Sequence, residues 1–201
     1  MPDGLQTGAA AMGAVGNSIY LAGGITNTNL SSGTVHTVDF FTAWHAGTQT
    51  FTPLPPLPEP RDHAGKGWFG DEGVLYVIGG RAFGRDHVVD TNYVFEFRTR
   101  EWSERAPMPT ARGGVASAVV GKWVFTIGGE GNAEAGSAGV FAQNEAYDTE
   151  ADEWRVFKDM DVPRHGTSAV AVGNKIYIPG GGLTEGGDPT DYFSYFEVPM
   201  Y

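Results

Sequence analysis

Three arginines recur along the chain at positions that suit the binding of an anion. Arg61, Arg112 and Arg164 each lie ten residues beyond an aromatic residue and follow a proline-containing turn. A guanidinium group offers paired donors to a carboxylate or a sulfate, so the three side chains could line an anion-binding mouth. The recurrence equally suits struts that bridge neighbouring units by bonding loop carbonyls and carboxylates. We favour struts for Arg112 and Arg164, and leave the role of Arg61 open.

Two histidines accompany these arginines. Asp62 and His63 follow Arg61, and His165 follows Arg164. Two imidazoles and a carboxylate are the minimum for a metal site or an acid–base pair, although they serve packing or solvation equally well. The chain contains no HxH, HExxH or HxxxH spacing. We therefore predict no metal site, no catalytic residue and no cofactor.

The composition excludes several classes of protein. The net charge is −11 and the sequence pI is near 4.7, which is the opposite of a basic nucleic-acid-binding footprint. We therefore expect neither nucleic acid nor a membrane as a partner. Cysteine is absent, so thiolate nucleophiles, disulfides and zinc-thiolate sites are excluded.

A fourfold internal repeat positions the candidate residues. A double glycine follows an apolar run four times, ending at Gly24, Gly80, Gly129 and Gly181. A stretch of small residues precedes each apolar run. An aromatic pair follows in the first three units, at Trp44 and Phe51, Phe97 and Trp102, and Tyr147 and Trp154. The repeat therefore has a period of about 50 residues, as in propellers and other repeat folds.

The apolar runs are short, rich in β-branched and aromatic residues, and separated by Gly, Pro, Asn and Asp, which predicts strands rather than helices. Each unit is predicted to be a four-stranded antiparallel meander that buries its faces by stacking around an axis, which makes it a propeller blade. The unit boundaries are predicted near 5–61, 62–112, 113–164 and 165–201, within a single domain.

In such a meander the loop after the double glycine and the link to the next blade emerge on the same face. The loops place seven polar residues there, namely Arg81, Arg85, Asp86, His87, Glu130, Asn132 and Glu185. The predicted ligand-binding residues on this face are Arg61, Asp62, His63, Arg112, Glu130, Asn132, Arg164, His165 and Glu185.

The double glycines, Tyr147-Asp148, the tryptophan that follows and the PRHG segment at 163–166 together resemble the kelch repeat. The resemblance covers nearly the whole chain and implies a kelch-type β-propeller. Two units depart from the pattern, with Trp44-His45 and Phe97-Arg98 in place of Tyr-Asp. The phrases GGEGN and IPGGG are similar to fungal galactose-oxidase-like kelch proteins. The oxidase chemistry of that family requires a Cys-Tyr crosslink, which a chain without cysteine cannot form.

The repeat count predicts about three and a half to four blades and an incomplete ring. We interpret the chain as a truncated propeller, with self-association through its open edges as the alternative.

Two functions remain open. The first is a non-catalytic recognition module that binds a protein or carbohydrate partner through the loop-rich face. The alternative is a carbohydrate-active or isomerising enzyme that uses the His, Arg and Asp residues at the channel mouth. The compartment is undetermined, although the sequon Asn29-Leu30-Ser31 favours an extracellular location.

Overall fold

The computed structural model describes residues 6–29, 34–70, 73–84 and 87–199. Every regular element in this part of the chain is a β-strand, which confirms the all-β prediction. No helix among the described residues is long and apolar enough to cross a membrane.

Within the described residues, nineteen strands form four blades and two additional hairpins. Blade 1 and its hairpin contain β1 (Ala11–Val15), β2 (Ser18–Ala22), β3 (Ile25–Asn29), β4 (Thr34–Thr37), β5 (Phe41–His45) and β6 (Thr50–Pro53). Blade 2 contains β7 (Gly65–Phe69), β8 (Val74–Ile78), β9 (Asn92–Glu96) and β10 (Glu101–Arg105). Blade 3 contains β11 (Ala116–Val120), β12 (Trp123–Ile127), β13 (Asn144–Asp148) and β14 (Glu153–Val156). Blade 4 and its hairpin contain β15 (Val170–Val172), β16 (Lys175–Pro179), β17 (Gly182–Thr184), β18 (Gly187–Pro189) and β19 (Phe193–Glu197).

The first three blades are four-stranded antiparallel meanders, with strand orders β1-β2-β5-β6, β7-β8-β9-β10 and β11-β12-β13-β14. Blade 4 has three strands, in the order β15-β16-β19. In every blade the double glycine directly follows the second strand, as the repeat predicts. The kelch-type propeller fold with a shorter fourth blade is therefore confirmed.

Two hairpins lie outside the predicted meanders. Strand β3 pairs with β4 after the first double glycine, and β17 pairs with β18 after the fourth. Both segments follow a double glycine and were predicted to be loops. Their short runs, ITNTN with TVHT and GLT with GDP, lack the apolar alternation of a buried strand.

The hydrophobic core lies between the blades rather than within one sheet. Phe41 of blade 1 packs with Leu75 and Phe95 of blade 2, and Val94 of blade 2 packs with Tyr147 of blade 3. A third cluster joins blades 3 and 4. Each blade therefore depends on its neighbour to bury its apolar face.

The repeated tryptophan of the fourth strand also joins neighbouring blades. Trp102 Nε1 of blade 2 donates to the Pro55 carbonyl at 2.9 Å, and Trp154 Nε1 of blade 3 donates to the Ala106 carbonyl at 2.8 Å. Both carbonyls lie in the link that follows the preceding blade. The indole satisfies its only polar group while its rings remain in the interface.

Candidate functional site

The links and the loops after the double glycines meet at one end of the blades. In each blade, a residue three to five positions before the first strand forms an antiparallel bridge with the residue after the double glycine. The pairs are Gly8 with Ile25, Asp62 with Arg81, Gly113 with Glu130, and His165 with Gly182. The predicted convergence of links and loops on one face is therefore observed in the backbone.

A run of backbone hydrogen bonds joins the four blades on this face. The His63 N–H donates to the Ala9 carbonyl, the Gly114 N–H to the His63 carbonyl, and the Gly166 N–H to the Gly114 carbonyl, at 2.8–3.0 Å. All four residues have left-handed backbones, with φ between 53° and 64°. Glycine suits this conformation, whereas His63 and Ala9 adopt it at an energetic cost. We call these four residues the axial run.

Arg112 and Arg164 bond to the blade that follows each of them. The Arg112 guanidinium donates to the Gly128 and Thr126 carbonyls at 2.8 and 2.9 Å, and to Glu145 Oε2 at 2.6 Å. Arg164 donates to the Ile178 carbonyl at 3.0 Å and to Ser194 Oγ at 2.6 Å.

Both side chains are almost fully buried, with 0% and 1% of their surface exposed. Burial lowers the pKa of each guanidinium, and for Arg112 the Glu145 carboxylate opposes that shift. The geometry is that of struts between blades, and it leaves little guanidinium surface for a ligand.

Arg61 occupies the corresponding position before blade 2 but has different neighbours. Its Nη2 lies 3.2 Å from Glu59 Oε2, and its guanidinium lies 5.7 Å from the centre of the Tyr93 ring. Its buried Nε and Nη1 atoms have no hydrogen-bond partner. Tyr93 stands on β9 at the position that Glu145 holds on β13, so this junction offers a ring where the next one offers a carboxylate.

Buried ionic contacts connect blades 2, 3 and 4. Arg81 Nε lies 3.0 Å from Asp62 Oδ1, and Arg81 Nη1 lies 3.0 Å from Glu130 Oε1. Glu130 Oε2 lies 3.1 Å from His165 Nδ1 and accepts the Gly186 N–H at 3.0 Å. Arg81, Glu130 and their partners Asp62 and His165 are at most 8% exposed. We call these four residues the rim network.

Asp62 has two side-chain partners in addition to Arg81. Its Oδ2 accepts the Thr37 hydroxyl at 2.6 Å, and its Oδ1 lies 2.6 Å from His63 Nδ1. Burial works against ionisation, but the hydrogen bonds from His63 and Thr37 and the charge of Arg81 outweigh it, so the pKa of Asp62 is lowered. His63 is the more accessible member of the pair, with 27% of its side chain exposed, and the Arg81 guanidinium contacts its ring.

The remaining predicted residues shape the loops beside the network. Asn132 donates from Nδ2 to the Val140 carbonyl at 3.0 Å and accepts the Glu134 N–H at 3.0 Å, which folds the 130–141 loop upon itself. The Glu185 N–H donates to the Ala138 carbonyl at 2.9 Å, which joins the β17–β18 hairpin to that loop. The structure thus brings together Asp62, His63, Glu130 and His165, with Asn132 and Glu185 at the edge, whereas each arginine strut occupies a separate junction. Ligand binding by these residues remains a prediction.

Sequence reasoning did not identify Phe83. It is 66% exposed and follows Arg81 in the loop after the second double glycine, with φ 61°. Its N–H donates to Thr37 Oγ1 at 3.2 Å, so the hydroxyl that binds Asp62 also supports this loop. An aromatic residue in a polar, glycine-rich loop is the signal that could have revealed it.

Two sequence predictions lie partly outside the described residues. They are the loop set, through Arg85 and Asp86, and the sequon, through Leu30 and Ser31. Over the described ranges, no group of three or more His, Asp or Glu side chains is arranged to hold a metal ion.

The radial blades, the glycine-terminated second strands and the buried arginine at each junction define a repeat protein of the β-propeller class. Residues 2–194 match the family described as the KLHDC2/KLHL20/DRC7 kelch-repeats domain, and the chain belongs to the kelch-repeat family. Kelch-repeat proteins generally mediate protein–protein interactions.

Curated relatives extend this similarity. The chain is 43% identical to the Kelch-like protein terF of Aspergillus terreus over 201 residues, which are 100% of this chain and 43% of that protein. It is 29% identical to Alpha-scruin of Limulus polyphemus over 62% of this chain and 14% of that protein. It is 33% identical to Kelch-like protein 25 of Xenopus tropicalis over 53% of this chain and 17% of that protein. The chain thus spans less than half the length of these curated relatives.

Proposed function

We propose that this chain is a non-catalytic recognition module that binds a protein segment through the face formed by the links and the loops after the double glycines. The observation that carries the proposal is Phe83, a large apolar side chain with two thirds of its surface exposed. Exposed aromatic residues on a fixed backbone are typical centres of protein interfaces. The rim network beside Phe83 holds that backbone in place.

The charge of this face supports a partner that is basic as well as apolar. The arginines Arg61, Arg81, Arg112 and Arg164 are buried, so they contribute little positive charge to the surface. The exposed or half-buried acidic residues of this face include Asp90, Glu134, Glu185, Asp188 and Asp191. A Lys- or Arg-containing segment would therefore find complementary charge around Phe83.

A second candidate uses the rim for acid–base chemistry on a carbohydrate. The 2.6 Å contact between Asp62 Oδ1 and His63 Nδ1 fixes the imidazole ring at a partly open position, as a general base requires. The Arg81 guanidinium opposes this role, because its Nη2 lies 2.6 Å from His63 Nδ1 and 3.0 Å from His63 Nε2 and so occupies the ring nitrogens that a substrate proton would have to reach.

The experiment is selection from a peptide display library against the purified 201-residue chain, with a glycan array in parallel. We expect selected peptides to contain basic and apolar residues, and Phe83→Ala to weaken their binding by about 30-fold, the effect of losing about 2 kcal/mol at an interface centre. Val15→Ala is the control, because Val15 is 41% exposed beside the β1–β2 turn, at the opposite end of the blade.

Equal loss of affinity in both variants would contradict the proposed site. Glycan binding without peptide binding would show that the partner is a carbohydrate and not a protein. Turnover of a sugar that Asp62→Asn and His63→Gln abolish would establish the enzyme instead.

A further inference from the structure

A cavity of about 170 Å³ opens inside the junction between blades 1 and 2. It lies near the turns that follow β5 and β9, at the end of the blades opposite the loops after the double glycines. Both blades contribute to its lining, which includes Tyr20, Ala43 and Leu54 from blade 1 and its link, and Phe95, Phe97 and Arg100 from blade 2.

The deep wall of the cavity is aromatic. The ring centre of Phe97 lies 4.6 Å from that of Tyr20 and 4.9 Å from that of Phe95, and both pairs are edge to face. Phe95 is fully buried, whereas Tyr20 and Phe97 are half-buried. An apolar cavity of about 150 Å³ is large enough to hold benzene. The junction therefore has room for one aromatic ring.

Arg100 supplies a positive charge at the mouth of the cavity. Its side chain is exposed and makes no ion pair or hydrogen bond with the residues that the structure describes. The other polar groups of the mouth already have partners, since His45 Nε2 lies 3.1 Å from Thr52 Oγ1 and His45 Nδ1 lies 2.8 Å from Ser18 Oγ. The guanidinium thus remains available to bind a carboxylate through two parallel N–H donors.

The equivalent part of the junction between blades 2 and 3 is filled by the protein itself. Strand pairing, which shifts the alignment of blade 2 by two residues from the one that the sequence repeat suggested, gives Tyr147 and Val94 the positions of Phe95 and Ala43. The Tyr147 hydroxyl donates to Asp152 Oδ1 at 2.7 Å, and Val94 packs with the Tyr147 ring. Phenylalanine in place of tyrosine and alanine in place of valine leave space at the first junction.

The charge at the mouth is also opposite at the two junctions. Arg100 and Asp152 hold the same turn position, with φ of 62° and 55°. Asp152 Oδ1 accepts the Ala106 N–H at 2.8 Å. Pro55 occupies the position of Ala106 in the link after blade 1, because each carbonyl accepts the indole N–H of the next blade, and proline has no N–H to donate. The first junction therefore does not need the carboxylate and carries a guanidinium instead.

We propose that the cavity between blades 1 and 2 binds a small aromatic carboxylate. The ring lies against Tyr20, Phe95 and Phe97, and the carboxylate binds the Arg100 guanidinium. Such a ligand supplies to the first junction the volume and the negative charge that Tyr147 and Asp152 supply to the second. The site is a binding site only, and it lies at the other end of the blades from the loop face.

Titration of the 201-residue chain with phenylacetate, followed by amide NMR spectra, tests this proposal. We expect saturable shifts at residues 43–45 and 95–100, with a dissociation constant on the order of 1 mM for a ligand with a single ring. Phenylacetamide has the same ring without the charge. It should bind about tenfold more weakly, because it cannot form the charged hydrogen bonds with Arg100.

Two substitutions separate the contribution of the charge from that of the cavity. Arg100→Gln should weaken phenylacetate binding about tenfold, and glutamine suits this turn because Gln49 holds the same position in blade 1 with φ of 56°. Arg98→Gln is the matched control, since Arg98 is exposed in the same turn but does not line the cavity. Ala43→Val should weaken the binding of both probes about tenfold, because the added methyl groups occupy the space of the ring.

Phenylacetate that produces no saturable shifts would overturn the proposal. Equal affinity for phenylacetate and phenylacetamide would overturn it as well, and so would affinities unchanged by Arg100→Gln. The exposed Arg100 packs against no core residue, so this variant remains a test even if Ala43→Val does not fold. Peptide binding through Phe83 is a separate readout, so either proposal can fail alone.

Discussion

At the scale of single residues, the recurring arginine has a role that depends on which partner the next blade supplies. Arg112 finds a carboxylate in Glu145, Arg164 finds the hydroxyl of Ser194, and Arg61 faces the ring of Tyr93. Moving a guanidinium from water into the protein interior costs free energy. The contribution of a buried arginine to the stability of the fold therefore depends on how many of its N–H donors are hydrogen-bonded. Arg112 is the best satisfied of the three.

We expect Arg112→Ala to destabilise the protein by about 3–5 kcal/mol, because it leaves Glu145 as a buried charge without its counterion. Urea unfolding measures the change. Arg98→Ala is the control, since Arg98 is exposed and its loss should stay within about 0.5 kcal/mol. Similar small effects from both variants would show that Arg112 is not a strut.

The lowered pKa of Asp62 predicts a loss of stability in acid. A carboxyl group whose pKa is lower in the folded state stabilises the fold above its unfolded pKa of about 3.9, and that contribution disappears as the pH falls through the folded pKa. The unfolding free energies of the unmodified protein and Asp62→Asn should therefore differ at pH 7 and converge only as the pH falls from about 4 through the lowered pKa of Asp62. Urea unfolding at both pH values tests this, with the exposed Asp191→Asn as control. A difference that does not change with pH would contradict the ionic role of Asp62.

Sequence could predict the arginines as struts but not their partners. Recurrence in every unit favoured a structural role, which the bonds of Arg112 and Arg164 agree with. Glu145 and Ser194 carry no local signal, because their role arises only when two blades pack together. Phe83 was missed for a similar reason, since exposure is a property of the folded surface.

At the scale of secondary-structure elements, the double glycine allows the link to pass close to the end of the second strand. A β-carbon on Gly129 would lie 2.7 Å from the Gly113 carbonyl oxygen, and the equivalent glycines Gly24, Gly80 and Gly181 have similar contacts at 2.6–2.8 Å. Their φ angles of 99–120° also exclude most side chains. The double glycine therefore predicted the end of each second strand correctly. The β3–β4 and β17–β18 hairpins carry no comparable sequence motif.

Gly129→Ala should destabilise the protein more than Gly121→Ala. Both glycines have positive φ, 120° and 57°, but a β-carbon on Gly121 would have no atom within 4 Å. We expect about 1 kcal/mol from backbone strain at Gly121 and at least about 3 kcal/mol at Gly129, where the carbonyl must also move. Thermal unfolding compares the two variants. Equal losses would show that the close approach of the link does not require the second glycine.

At the scale of the whole molecule, the contacts that stabilise the fold are buried, whereas the surface that we propose for recognition is exposed. Apolar contacts between blades and the buried rim network hold the four sheets together, while the loops at one end carry the exposed Phe83 and acidic side chains. The fourfold repeat and its period of about 50 residues sufficed to predict the propeller and the face on which the links and the loops meet. The ionic contacts between blades could not be predicted, because they depend on the relative placement of residues as distant in sequence as Arg81 and Glu130.

Hydrogen-exchange protection of the chain by a selected basic peptide tests the central claim most directly, namely that the loop face is the recognition surface. The account predicts slower amide exchange in residues 81–84, in the 130–141 loop and in the β17–β18 hairpin. It predicts unchanged exchange at the opposite turns, 16–17, 121–122 and 173–174. Protection confined to those opposite turns, or to the outer strands β10 and β14, would contradict it.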